Sequence, residues 1–293
     1  MKNIFPVILF SILFVTGCAP DPLMIDIDQI PAQMAVTSAS PEPNTVIVAV
    51  TYSLTSLTNL TEPDADSTAP LIPEGILADS AFVTISDGVN TYPLIKVLPG
   101  IYLNTGIPFE SGKEYSLFVK DNINGNTIVA KTTYQPAFIP DLILPVVKRE
   151  TTDTTIQLRM TVTDDRPEMN YYVVAYDNVN PATVPSPIGS PNFAIANLEA
   201  IKKVEVFSDA EAVNGVITKT FDVTNIDAKD RLFVHYGRID KGYFDYLSSY
   251  KRSGSLVTQI ASEPLTLPTN IVTGLGYFAL YDAQRIFFDL KNY

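Results

Sequence analysis

Between Glu114 and Tyr134 apolar and polar side chains alternate with a period of two, along one run and back along the next. Tyr115, Leu117 and Val119 fall on one face, Ile128, Ala130 and Thr132 return on the partner run, and Asn124-Gly125 between them supplies the positive φ values of a tight turn. The pattern predicts a β-hairpin. Shorter runs precede it: "TVIVAVTY" with Val46, Val48 and Val50 on one face, "AFVTISDG", "NTYPLIKV" and "GIYLN". Six or seven strands between Thr45 and Tyr134, with no helix-length period, predict an immunoglobulin-like or transthyretin-like β-sandwich over residues 45–135. The insert 58–80, rich in Asp, Pro and Thr, reads as a loop.

A second β-rich domain is expected over 146–293, after the proline-containing linker "QPAFIPDLILP". In "TTIQLRMTVTDD", Ile156, Leu158, Met160 and Val162 alternate with polar residues, so one face is buried and the other wet. Strands follow in "NYYVVAYD", "KKVEVF", "VITKTFDV" and "RLFVHYGR", interrupted by a proline-rich loop at 178–192. One helix is predicted near 241–252: Tyr243, Tyr246, Leu247 and Tyr250 fall at i, i+3, i+4 and i+7, Asp240 caps the start and Gly254 the end. The chain closes on "GYFALYDAQRIFFDL", two apolar strand-like runs around a short turn. The expected class is mostly β: two β-sandwich-like modules, the second with one short helix.

The N-terminal pattern is different. Lys2 is followed by an apolar stretch from Ile4 to Val15, then by Thr16 and Gly17 just before Cys18. That layout predicts a signal peptide over 1–17. The stretch is short of the roughly 20 residues of a membrane-spanning helix and contains Pro6. "VTGC" resembles the lipobox of bacterial lipoproteins, which implies cleavage before Cys18 and lipidation of its thiol; the alternative is an ordinary secretory signal with a cysteine there by chance. Several acyl chains anchor stably where one does not. Residues 18–44 then read as a lipidated tether, part of which can pair as an edge strand where Met24, Asp26 and Asp28 alternate with Ile25 and Ile27.

Composition narrows the chemistry. Cys18 is the single cysteine, so disulfides, cysteine-ligated zinc and cysteine nucleophiles are excluded from the mature chain. Loss of Lys2 leaves 19 basic against 32 acidic side chains, a net of about −13, which disfavours nucleic acid as a partner. His235 is the only histidine, and no G-x-S-x-G elbow accompanies it. "GIPFESGK" (106–113) has one residue too many for a phosphate loop, and Glu114 replaces the magnesium-binding hydroxyl. "DNINGN" (121–126) puts Ile123 where a calcium loop wants a carboxylate, while Asp164, Asp165 and Glu168 suit either a hard cation, acid–base work or a solvated turn. No catalytic residue, metal site or cofactor is assigned. Tyr243 and Tyr246 of the helix, with Tyr277, Phe278, Tyr281, Phe287 and Phe288 of the C-terminal runs, are candidates for an aromatic binding surface or for core.

Three segments in order, "VFSDAEAVNGVITKTFDV", "HYGRIDKGYFDYLSSYKRSG" and "EPLTLPTNIVTGLGYFALY", resemble a family of Bacteroidota lipoproteins of unknown function. Its closing "P-x-N-I-x-x-G-L-G-x-F" is met by Pro268, Asn270, Ile271, Gly274, Leu275, Gly276 and Phe278, and the N-terminal half fits through "AFVTISDG", "GIYLN" and "GKEYSLFV". Members usually carry two glycines before the leucine; here Thr273 holds the first position. Because such proteins are commonly encoded beside TonB-dependent receptors, the resemblance implies a lipid-anchored outer-membrane protein serving as accessory or ligand-capture partner of such a receptor; the sparse catalytic inventory points to a non-enzymatic role, and Asp21 soon after Cys18 resembles the surface-export signals of this phylum, which favours the cell surface over the periplasmic face. Two rival readings remain: a structural or adhesive envelope protein that binds protein or glycan, and a hydrolase using Asp164, Glu168 or His235.

Overall fold

The computed structural model describes residues 33–52, 77–149, 154–163, 167–179, 204–223, 231–253 and 267–293. The signal segment, Cys18, Met24–Asp28, Asp164, Asp165 and Gly254 lie outside them. Among the described residues seventeen strands and one α-helix succeed one another: β1 (Met34–Ala39), β2 (Val46–Tyr52), β3 (Ala81–Ser86), β4 (Thr91–Pro93), β5 (Ile95–Leu98), β6 (Ile101–Asn104), β7 (Glu114–Asp121), β8 (Thr127–Thr133), β9 (Leu142–Arg149), β10 (Thr154–Thr163), β11 (Tyr171–Val179), β12 (Val204–Ser208), β13 (Val216–Val223), β14 (Arg231–Ile239), α1 (Lys241–Ser253), β15 (Ile271–Val272), β16 (Leu275–Tyr277) and β17 (Gln284–Asp289). The chain is mostly β, arranged as two β-sandwiches.

The first sandwich packs a β16-β1-β2-β6-β5 sheet on a β15-β8-β7-β3-β4 sheet. Its core is what the alternation dictates: Val46, Val48 and Val50 of β2 meet Tyr115, Leu117 and Val119 of β7 and Ile128 of β8, none more than 1% exposed. "NTYPLIKV" divides at Leu94, whose N–H turns to the Val83 carbonyl at 2.9 Å, so that β4 and β5 serve opposite sheets. The β7–β8 hairpin is present, but its loop is longer than a two-residue turn. The last ladder pair is Lys120 with Thr127, only Gly125 takes positive φ (72°), and Asp121 organises the loop by accepting the N–H groups of Ile123 and Asn124 at 2.9 and 3.2 Å.

The second sandwich packs a β13-β10-β9 sheet on a β12-β11-β14-β17 sheet. Ile156, Leu158, Met160 and Val162 face Tyr172, Val174, Phe207, Leu232 and Val234 across it. It opens at Leu142 rather than 146: Pro145 sits within β9, opposite Leu158, which is tolerated because β9 is an edge strand. Helix α1 forms as the apolar spacing requires. The Asp240 carboxylate accepts the Tyr243 N–H at 2.9 Å and so caps it, and Tyr243, Tyr246 and Leu247 cover the outer face of β11 and β12 beside Val173 and Val204.

Three expectations need correction. Residues 18–44 are not tether throughout, since β1 lies inside them, flanked on both sides, with Met34 and Val36 at 2% and 0% exposure. Its other face carries only Ala35, Thr37 and Ala39, so the alternation has little contrast in the sequence. The two C-terminal runs do not form a hairpin: β16 joins the first sandwich and β17 the second. Consequently 45–135 and 146–293 are not two self-contained modules, because β15 and β16 return to complete sheets begun by β8 and β1.

Candidate functional site

The residues singled out by the closing motif converge on one seam, where the segment from Leu267 to Tyr281 runs along an edge of the first sandwich and over the second. Ile271 and Val272 pair antiparallel with Ala130 and Val129; three residues later Leu275–Tyr277 pair in parallel with Ala35–Thr37. One short segment thus contributes a strand to each sheet and laces the two together. The corner between them demands unusual backbone. Thr273 has φ +67°, and Gly276 has φ +94° with the position of a Cβ lying 1.9 Å from the Val36 carbonyl oxygen. A Cβ on Gly274 would stand 2.8 Å from the Met34 carbonyl oxygen and from Ile128 Cδ1. Both glycines are there because β1 and β8 come too close for any side chain.

Asn270 acts as a staple on the same seam. Its Nδ2 donates to the carbonyls of Phe278 (2.7 Å) and Lys131 (3.0 Å), and its Oδ1 accepts the Phe278 N–H at 2.9 Å. Phe278, with no exposed surface, fills the core between the two sheets. Ser38 continues the ladder with a side chain: its Oγ donates to the Ala279 carbonyl and accepts the Ala279 N–H, each at 2.8 Å. Further along, Gln135 and Tyr281 bridge in parallel, so the start of the linker between the sandwiches is itself tied to the closing segment.

Tyrosines make the joint with the second sandwich. Tyr277 donates from its hydroxyl to the Asp240 carboxylate at 2.8 Å, so one carboxylate both caps α1 and holds the closing segment. Tyr243 lies 5.4 Å from Tyr277 and 6.2 Å from Tyr246, ring centre to ring centre, and Tyr246 shares a side-chain hydrogen bond with Thr37. Two glycines make room: a Cβ on Gly242 would stand 2.1 Å from the Tyr277 hydroxyl, and one on Gly237 2.4 Å from the Tyr281 ring. Burial raises the Tyr243 phenol well above its ordinary pKa, raises Tyr246 and Tyr277, the latter helped by the Asp240 charge, and pushes Tyr281 up to about 12. Neutral phenols of this kind supply no base or nucleophile near neutrality.

Of the two readings of the aromatics, core holds for most of them. Tyr243, Tyr246, Tyr277, Phe278 and Phe288 are all under 8% exposed, Tyr281 is half-buried, and Phe287, at 61%, lies open to solvent beside Phe233 and the Arg285 guanidinium. Their amphipathic spacing was legible, but spacing does not tell a face turned to solvent from one covered by a distant segment. Gly237 and Gly242 lie outside every motif read from the sequence, although a glycine inside the strand pattern "RLFVHYGR" is a sign of close approach.

Of the other candidates, those among the described residues sit in ordinary structural surroundings. His235 is half-buried in β14 opposite Ala175 and Arg285. Glu168 is exposed, and Asp164 and Asp165 lie outside the described residues. Asp121 also accepts the Tyr52 hydroxyl at 2.6 Å, and Lys113 of the phosphate-loop lookalike is paired with Asp87 and Glu110 at 3.1 and 2.9 Å. Among the described residues no three His, Cys, Asp or Glu side chains gather to hold a metal ion.

Fold and seam together define a class: a β-rich protein of paired sandwiches, laced by its own C-terminal segment. The chain belongs to the domain of unknown function family DUF4249, whose pattern matches residues 20–286. Among curated proteins nothing matches. Solved structures with some likeness include a cytokine receptor complex (9% identity, TM-score 0.25, covering 86% of this chain and 94% of that one). Another is the FN1–FN3 segment of chicken CNTN1 (11%, TM-score 0.25, 70% and 60%). A third is a DUF3823 family protein from Bacteroides ovatus (10%, TM-score 0.20, 55% and 81%). Likenesses this low bear on neither fold nor function.

Proposed function

We propose that this protein is a lipid-anchored outer-membrane protein of the Bacteroidota that assists a TonB-dependent receptor in capturing or admitting a nutrient, without chemistry of its own. The observation that carries the reading is the lone Cys18 in "VTGC", immediately after an apolar run of signal-peptide length. Metabolic labelling with an alkyne fatty acid tests the anchor: the wild-type protein takes up label and Cys18→Ser does not. The partnership is tested by purification from mild-detergent membranes of the native host with a tag between Asp64 and Ser67. A TonB-dependent barrel recovered at about one to one supports the reading, and a labelled protein recovered alone, or with envelope polymers, removes the receptor and favours a structural or adhesive role.

A further inference from the structure

We propose that the closing segment is an intramolecular donor strand whose docking completes the first sandwich, so that the sandwiches form as one cooperative unit only when the whole chain is present. Without β15 and β16, β1 has an open edge along Ala35–Thr37, β8 an open edge at Val129–Ala130, and the core between them lacks Phe278. Open edges above an unfilled core are the state that folded β proteins avoid. The same segment leads directly into β17, which supplies six register pairs to β14, and its Tyr277 is bonded to Asp240 at the head of α1. Some 130 residues separate β8 from the segment that completes its sheet, so these long-range pairings come late in folding. Leaving the seam therefore undoes both sandwiches together.

Thr273 tunes this device. A β-branched residue at φ +67° is strained, and it sits at the corner where the segment crosses from one sheet to the other. Its hydroxyl donates to the Thr127 carbonyl at 2.7 Å, which offsets part of the strain. Glycine at this corner removes the strain and closes the seam more firmly.

The inference does not depend on lipidation or on a receptor partner. Native-state hydrogen exchange of the full chain in sub-denaturing urea tests it. Expected is one common opening for the amides of β1, β8, β15, β16 and β17, with the same urea dependence. Thr273→Gly, which folds, slows exchange of that whole set about three- to tenfold, and Gly276→Ala speeds it at least a hundredfold. The proposal is overturned if β15 and β16 open while β1, β8 and β17 keep their protection, or if Thr273→Gly alters exchange only at its own corner.

Discussion

Replacing Asn270 by alanine removes three hydrogen bonds at once, two of which serve the backbone of Phe278, a residue with no exposed surface. A buried N–H or C=O left without a partner costs about 1–3 kcal/mol. Two such groups give roughly 2–6 kcal/mol; the Lys131 carbonyl, on the solvent side, is rehydrated and adds little. For a chain of this size each kcal/mol moves the melting point by about 2–4 °C, so Asn270→Ala is expected to melt roughly 4–24 °C below the wild type. Asn270→Asp keeps the acceptor for the Phe278 N–H but loses both donors and sets a carboxylate against the Phe278 carbonyl. It should do no better than alanine. Circular dichroism melts and urea titrations of the three proteins at one pH make the comparison. A residue kept for a ligand would leave stability unchanged on substitution, so a loss below about 0.5 kcal/mol, within the scatter of ordinary surface changes, would refute the staple.

In Gly242→Ala, helix propensity alone favours alanine by up to about 1 kcal/mol. The Tyr277 hydroxyl 2.1 Å from the new Cβ reverses the sign, so a loss of about 1–3 kcal/mol is expected, as for overpacking elsewhere. Adding Tyr277→Phe should recover most of it in a double-mutant cycle measured by urea titration, and additive losses would exclude the contact. At alkaline pH the joint should fail: the Tyr281 phenol is held neutral up to about 12 in the fold but ionises near 10 when unfolded. Its contribution is thus complete below pH 10 and lost as pH rises through 12, about 3 kcal/mol at 1.36 kcal/mol per unit, read from melting point against pH alongside phenolate absorbance. On the acid side, the Asn90 and Val89 N–H groups, with Lys113, hold the Asp87 carboxyl far below the usual carboxylate range. Stability from Asp87 is present above about pH 4 and declines as pH falls further, and Asp87→Asn should flatten the acid limb of the same curve.

Strands whose two faces differ sharply were legible from the sequence. The β7, β8 and β10 runs alternate residues of differing polarity, and the structure buries the set that alternation selects, whereas β2 is apolar on both faces and buries Ile47 and Ala49 as well as Val46, Val48 and Val50; α1 likewise announces itself through Tyr243, Tyr246 and Leu247 and through Asp240 as its cap. β1 reads as tether because Ala35, Thr37 and Ala39 give its outer face almost no polarity. Partner choice was the larger loss. "GYFALY" and "QRIFFDL" look like neighbours in a hairpin, but β16 finds β1, some 240 residues earlier, and β17 finds β14. Nothing local encodes such pairings. What the sequence did carry was the steric signature of the seam: Gly274, Gly276, Gly237 and Gly242 each stand where another segment leaves no space for a Cβ. They read as punctuation until the segment that presses on them is known.

The central claim, that the closing segment is built into the first sandwich, is tested most directly by a cross-strand disulfide. Val129 and Val272 are register partners on the outer face of β8 and β15, at 41% and 61% exposure, so oxidation has access to both. Directly opposed residues of antiparallel strands lie about 4.5–5.5 Å apart between Cα atoms, within reach of a disulfide. Val129→Cys with Val272→Cys, in a Cys18→Ser background, should cross-link nearly completely under mild oxidation and run as a compact monomer on a non-reducing gel. Val89→Cys with Val272→Cys should not. Failure of the first pair to cross-link in the folded protein, or equal cross-linking of the second, would contradict the account.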